Sequence, residues 1–121
     1  MHNKTPYETG SLTLFSAAVA DDNGIVVNCE GLATVCVQLT GTLEASDVYF
    51  EGNVNSTNWV GVLAWNRTTG VKDLVATATG LYVIDVTGLV QLRVRLDWST
   101  ADSVTAVAKG SSLPVKTLVT A

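Results

Sequence analysis

The chain has 121 residues, 47% of them hydrophobic, and a formal net charge of −4 at pH 7. That length suits one domain with a single core, and the apolar content excludes a disordered tail. The seven Lys and Arg residues are dispersed, which excludes a protein that grips nucleic acid through its phosphates. No apolar run approaches the roughly 18 residues of a membrane span.

Residues 1–10 are polar, show no alternation and read as an N-terminal arm. The start, Met1-His2-Asn3-Lys4-Thr5-Pro6, lacks the apolar region of a secretory signal, so cytoplasmic synthesis is expected. Leu12–Phe15, reaching toward Val19, reads as a first strand. Asp21-Asp22-Asn23-Gly24 reads as a turn, because Asn-Gly reaches positive φ at little cost. Strands follow at about 25–29 and 33–40, the second with Val35, Val37 and Leu39 inward and Thr34, Cys36 and Gln38 outward. Asp47–Glu51 places Val48 and Phe50 on one face, and Tyr49 and Glu51 on the other.

After the polar loop Gly52–Asn58, the stretch Trp59–Asn66 reads as one strand. Its parity puts Trp59, Gly61, Leu63 and Trp65 on one face and Val60, Val62 and Ala64 on the other, which suggests burial on both sides. Arg67-Thr68-Thr69-Gly70 is a turn. Val71–Thr79 reads as a strand with Leu74 and Ala76 on a shared face. Strands at Leu81–Val86, Leu89–Asp97 and Val104–Ala108 complete the domain, with Leu92, Val94 and Leu96 inward and Gln91, Arg93 and Arg95 outward. Residues 111–121 are a tail or an added edge strand. No stretch shows capped helical periodicity.

Two portions of the chain are alike. Ile25–Glu30 and Gly31–Leu39 are followed by Asp47–Gly52. Likewise Tyr82–Thr87 and Gly88–Leu96 are followed by Ser103–Lys109. Two related halves in one domain, with eight or nine short strands, predict an all-β fold: an antiparallel β-sandwich, jelly-roll-like, over 11–110. The Cys…Trp…Cys spacing of an antibody domain is absent. By the same alignment Cys29 points inward and Cys36 outward, so two free thiols are expected; the alternative is a cross-strand bridge, which a register shifted by one residue would allow.

The residues for catalysis are sparse. The one histidine, His2, lies in the arm, so a catalytic triad would have to recruit it from there. A four-ligand zinc site lacks ligands. No catalytic residue, cofactor or metal is therefore assigned. Asp47, Tyr49 and Glu51 share an outward face and could form an acidic patch for glycoside chemistry, but read better as a solvated strand face. Asp21, Asp22 and Asn23 offer oxygens to calcium but lack the EF-hand spacing, and read better as a plain turn. Asn3, Asn55 and Asn66 match the glycosylation sequon, read as accidents of composition without a secretion signal. The tryptophans say more. Trp59 and Trp65 share a face by parity and Trp98 lies in a loop, so not all three can be central core. An exposed tryptophan on a sandwich serves a sugar platform or a subunit contact. Trp65 is the leading candidate interface residue, with Leu63 and Trp98 beside it.

Gly10-Ser11-Leu12-Thr13-Leu14-Phe15-Ser16-Ala17-Ala18, Gly31-Leu32-Ala33-Thr34-Val35, Phe50-Glu51-Gly52-Asn53, Thr57-Asn58-Trp59-Val60, Leu81–Leu89 and Arg93-Val94-Arg95 together resemble short β-sandwich virion structural proteins of tailed bacteriophages. The resemblance covers about residues 10–109. It rests on framework positions, not on an active site, and leaves out Trp65, both cysteines and the chain after Gly110. It implies a non-enzymatic structural protein of the capsid decoration, head-fibre or tail-fibre type. The expectation is a decoration protein at the capsid surface, binding the major capsid protein or another virion protein. Self-association is expected, with a trimer first because the resemblance points to three-fold capsid sites. The alternative is a glycan- or receptor-binding module of a fibre or tail. Neither nucleic acid nor membrane is expected as a partner.

Overall fold

A computed structural model describes residues 10–113. His2, most of the N-terminal arm and residues 114–121 of the tail lie outside the described residues. The described chain is all-β, as its alternation predicts. Its strands are β1 (Leu12–Ala18), β2 (Val27–Asn28), β3 (Thr34–Thr42), β4 (Asp47–Asn53), β5 (Val60–Gly61), β6 (Ala64–Asn66), β7 (Lys72–Asp73), β8 (Val75–Ala76), β9 (Gly80–Asp85), β10 (Gln91–Asp97) and β11 (Ser103–Ser111). They form two antiparallel sheets. One is six-stranded in the order β1-β11-β3-β9-β6-β7; the other runs β2-β10-β4-β5, with β8 also paired to β4.

The core lies between β3 and β10. Val35 and Val37 are fully buried and Leu39 nearly so, and they face a sandwich interior shared with the fully buried Leu92, Val94 and Leu96. Each such side chain stabilises the fold by roughly 1.5–3 kcal/mol relative to exposure. Phe50 and Tyr82 add a tilted aromatic pair with ring centroids 5.5 Å apart. Both cysteines are free, Cys29 buried and Cys36 half-buried.

The related halves interlock. The first half's central strand, β3, lies between β9 and β11 of the second half. The second half's central strand, β10, lies between β2 and β4 of the first. Hydrogen bonds obey the same pseudo-two-fold relation. Cys29 N donates to Val90 O at 3.0 Å, and its counterpart Val86 N donates to Ala33 O at 2.9 Å. The links match as well: Leu32 N donates to Cys29 O, and Leu89 N to Val86 O. In these turns Gly31 (φ 78°) and Gly88 (φ 86°) take a backbone conformation that only glycine adopts readily.

Two expected strands are corrected. Trp59–Asn66 is not one strand: β5 joins the five-stranded sheet, and the chain then crosses so that β6 joins the other. Val71–Thr79 crosses back in the same way, β7 in the six-stranded sheet and β8 against β4. Parity cannot be carried through a crossing. Leu74 is 44% exposed while Ala76 is buried, although both were expected on one face. These two splits account for the eleven strands where eight or nine are expected. With β5 and β8 placed end to end, the far edge of β4 is paired along most of its length.

Candidate functional site

The outer face of the five-stranded sheet gathers the most chemistry. Alternation along β4 and β10 sends Val48, Phe50, Leu92, Val94 and Leu96 inward, so their neighbours must face out. The register then pairs Arg93 with Glu51, Arg95 with Tyr49, and Gln91 with Asn53. Arg93 Nε donates to Glu51 Oε1 at 2.7 Å, while Arg95 donates from Nε at 3.1 Å and from Nη2 to Oε2 at 3.0 Å. Each guanidinium also lies over an aromatic ring. That of Arg93 is 4.5 Å from the Trp59 ring centroid, and that of Arg95 is 4.4 Å from Tyr49. The result is a ladder across the sheet: Trp59, Arg93, Glu51, Arg95, Tyr49.

Charge and burial set the ladder's chemistry. Burial alone would raise the Glu51 pKa, but hydrogen bonds and charge from Arg95 and Arg93 outweigh it and hold the carboxyl below its usual range. A carboxylate held ionised in this way is a poor proton donor at neutral pH. The acidic patch that Asp47, Tyr49 and Glu51 could offer does not form at Glu51, because two guanidiniums from β10 engage its carboxylate. Its neighbour across the sheet was missed because pairing β4 with β10 joins residues some forty positions apart. The signal was present in the outward arginines of one strand and the outward carboxylate of another.

The candidate interface residues are spread over the surface. Trp65 lies on the outer face of the six-stranded sheet, with Lys72 Nζ 4.7 Å from its ring centroid. It pairs with Val83, which in turn pairs with Cys36. Val83 is only 6% exposed although it faces away from the core. Leu63 is 55% exposed at the crossing between β5 and β6. Trp98, just past β10, packs against the core cluster. Its backbone N–H donates to Asp21 Oδ1 at 2.9 Å, and its indole N–H to Asp102 O at 2.7 Å. Trp98 thus closes one end of the sandwich. Trp59 and Trp65, expected on one face, project from different sheets.

Other polar groups serve turns. Asp22 Oδ1 accepts from Gly24 N at 2.8 Å, so this carboxylate caps a turn, as the plain-turn reading of Asp21-Asp22-Asn23 has it. Asn55 and Asn66 accept backbone N–H groups of the residues just after them. Asp102, 3% exposed, accepts from Glu44 N, Ala45 N and Ser46 N at 2.7–3.1 Å. Hydrogen bonding from the Ser46 side chain, opposed by desolvation and reinforced by those N–H groups, brings its pKa down to about 2. A cavity of about 300 Å³ opens beside Tyr82 and is lined in part by Asn66, Asp73 and Ala76. The Tyr82 hydroxyl donates to Ala78 O at 2.6 Å. Among the described residues, no group of three or more His, Cys, Asp or Glu is placed to hold a metal ion, and no helix is long and apolar enough to cross a membrane.

Fold and face define a two-sheet β-sandwich with an open, polar and aromatic outer surface. No family model matches the chain, and no curated protein matches it in sequence. Two solved structures share the fold. The PBSX exported protein XepA superposes with a TM-score of 0.78 at 16% identity, over 83% of this chain and 36% of that one. The SPBc2 prophage-derived protein YomS superposes with a TM-score of 0.74 at 17% identity, over 84% of this chain and 91% of that one. The chain thus spans about a third of the length of XepA and nearly all of YomS. At such identities the likeness shows the fold alone.

Proposed function

We propose that this is a phage- or prophage-encoded, non-enzymatic protein that acts by binding, and that it is a capsid decoration protein on the head surface. The observation that carries the phage reading is the likeness to prophage-derived YomS over most of both chains. The sequence resemblance to virion β-sandwich proteins agrees with it. The non-enzymatic reading draws on Glu51, whose carboxylate is held ionised by two arginines and so is ill suited to donate a proton. The major capsid protein is the proposed partner. Self-association, a trimer first, would multiply weak contacts across a symmetric shell.

A fibre or tail module that binds a receptor or glycan is the second reading. It is favoured by the half-buried Trp59 and Tyr49 beside paired arginines on an open sheet face. Particles from an induced lysate, separated into heads and tails and probed with an antibody to the protein, test both. Decoration requires the protein on heads, in a copy number set by the shell. Recovery on tails favours the second reading. Recovery only as free protein overturns both.

A further inference from the structure

The arginine ladder is rich in donors and poor in acceptors. A guanidinium carries five N–H donors, yet among the described residues Arg93 places only its Nε on a protein acceptor. Its two terminal nitrogens remain available on a side chain that is 20% exposed. The acceptors nearby are already engaged. Glu51 takes three N–H groups, Gln91 Oε1 takes Asn53 Nδ2, and Asn53 Oδ1 takes Ser56 N. Glu51 also fixes both guanidiniums in place, so little side-chain entropy is left to lose on binding.

Such a face suits a ligand that brings acceptors and an apolar ring surface together. We infer that Trp59 and Arg93 form a binding site for a carboxylated sugar, a uronic or sialic acid unit in a glycan chain, with Arg95 and Tyr49 extending the site along β10 and β4. The sugar carboxylate accepts from the terminal nitrogens of Arg93, a fork geometry that suits a planar anion. The C–H face of the sugar ring packs against the part of the Trp59 indole that the stacked Arg93 guanidinium leaves uncovered. A neutral sugar leaves those donors without a strong acceptor. The chain's net charge of −4 gives an anion no long-range attraction, so single-site affinity is weak and repeated copies supply avidity. The site stands whether the protein sits on a head or a fibre.

The test is binding of the full chain to an array carrying sialyllactose and oligogalacturonate, with lactose as the neutral control, followed by titration of the hits. Trp59→Ala and Arg93→Lys are compared with the natural protein. Arg93→Lys keeps the charge beside Glu51 while removing the fork, and circular dichroism checks that both variants fold. The expected result is selective binding of acidic sugars, weakened about tenfold or more by either change. Equal binding of lactose, or full binding by both folded variants, overturns the site. So does an absence of any acidic-sugar binding, including a case in which phosphatidylglycerol vesicles bind instead.

Discussion

Leu32 lies so close over Gly110 that a Cβ at position 110 would stand 2.8 Å from its Cδ1 and 2.9 Å from its Cδ2. The pseudo-two-fold partner of this contact is Leu89 over Gly52, where a Cβ would stand 2.7 Å from Cδ1. The leucine after each Gly-containing link thus rests on a glycine near the end of the last strand of the other half, Gly110 of β11 under Leu32 and Gly52 of β4 under Leu89. The contact recurs because the two halves share one design for turning from one sheet into the other.

The two contacts differ in how far they can give. Leu32 is 6% exposed and belongs to the core cluster, whereas Leu89 is only partly buried. Gly110→Ala is expected to lower stability by about 1–3 kcal/mol through overpacking. Gly52→Ala is expected to cost less, because Leu89 can swing toward solvent. Urea unfolding of both variants checks the order. Equal costs, or the larger cost at Gly52, would show that the two leucines are held alike.

This symmetry was legible in part. The repeated Gly-Leu link and the inward triplets Val35, Val37, Leu39 and Leu92, Val94, Leu96 were visible because alternation is local. Which strand each triplet lies beside was not visible, because pairing β3 with β9 and β11 joins distant segments. The stretch from Trp59 to Thr79 misled for another reason. Its crossings between sheets carry no proline, and Gly61 sits within β5, not at the crossing. The largely apolar Trp59–Asn66 therefore looked like a single strand, and Val71–Thr79, with no glycine or proline inside it, like another. The Trp59–Arg93 stack is invisible without the β10–β4–β5 order.

Asp102 ties the loop before β4 to the turn before β11, and its pKa of about 2 makes that tie sensitive to acid. A depressed carboxyl contributes stability above its unfolded pKa, about 3.9, and loses that contribution as the pH falls through the folded value. The natural protein should therefore lose melting temperature steadily as the pH is lowered from about 4 to 2. Asp102→Asn should be less stable at pH 7 and show a flatter profile across that window. Thermal unfolding over a pH series measures it. Parallel profiles for the two proteins would mean that another group controls the acid limb.

Both thiols should be found free and slow to react. Burial pushes Cys29 up to about 12. Burial also raises Cys36, with Arg67 opposing it. The thiolate is the reactive form, so iodoacetamide at mildly alkaline pH should leave Cys29 unmodified in the folded protein and modify Cys36 slowly. Unfolding without reductant should then yield two adducts by mass. A mass showing an internal bridge would overturn the opposite facing of β2 and β3 at these two positions.

Exposed apolar side chains concentrate between residues 60 and 81, where Val60, Leu63, Val71, Leu74 and Leu81 are each at least 42% exposed. At the edge of the six-stranded sheet next to this region lies β7, Lys72-Asp73. If two copies extended the sheet through this edge by a two-fold axis, Lys72 would face Lys72 or Asp73 would face Asp73, and like charges directly opposite are destabilising. Association is therefore expected through the apolar side chains and not by strand addition. Leu63 is the cleanest probe, because Trp65 also covers Val83 and holds Lys72, so Trp65→Ala disturbs the fold. Sedimentation equilibrium of the natural protein should show an oligomer, a trimer first, and Leu63→Glu should shift it toward monomer without lowering the monomer's stability. A natural protein that stays monomeric through the micromolar range would leave these exposed side chains without a role in self-association.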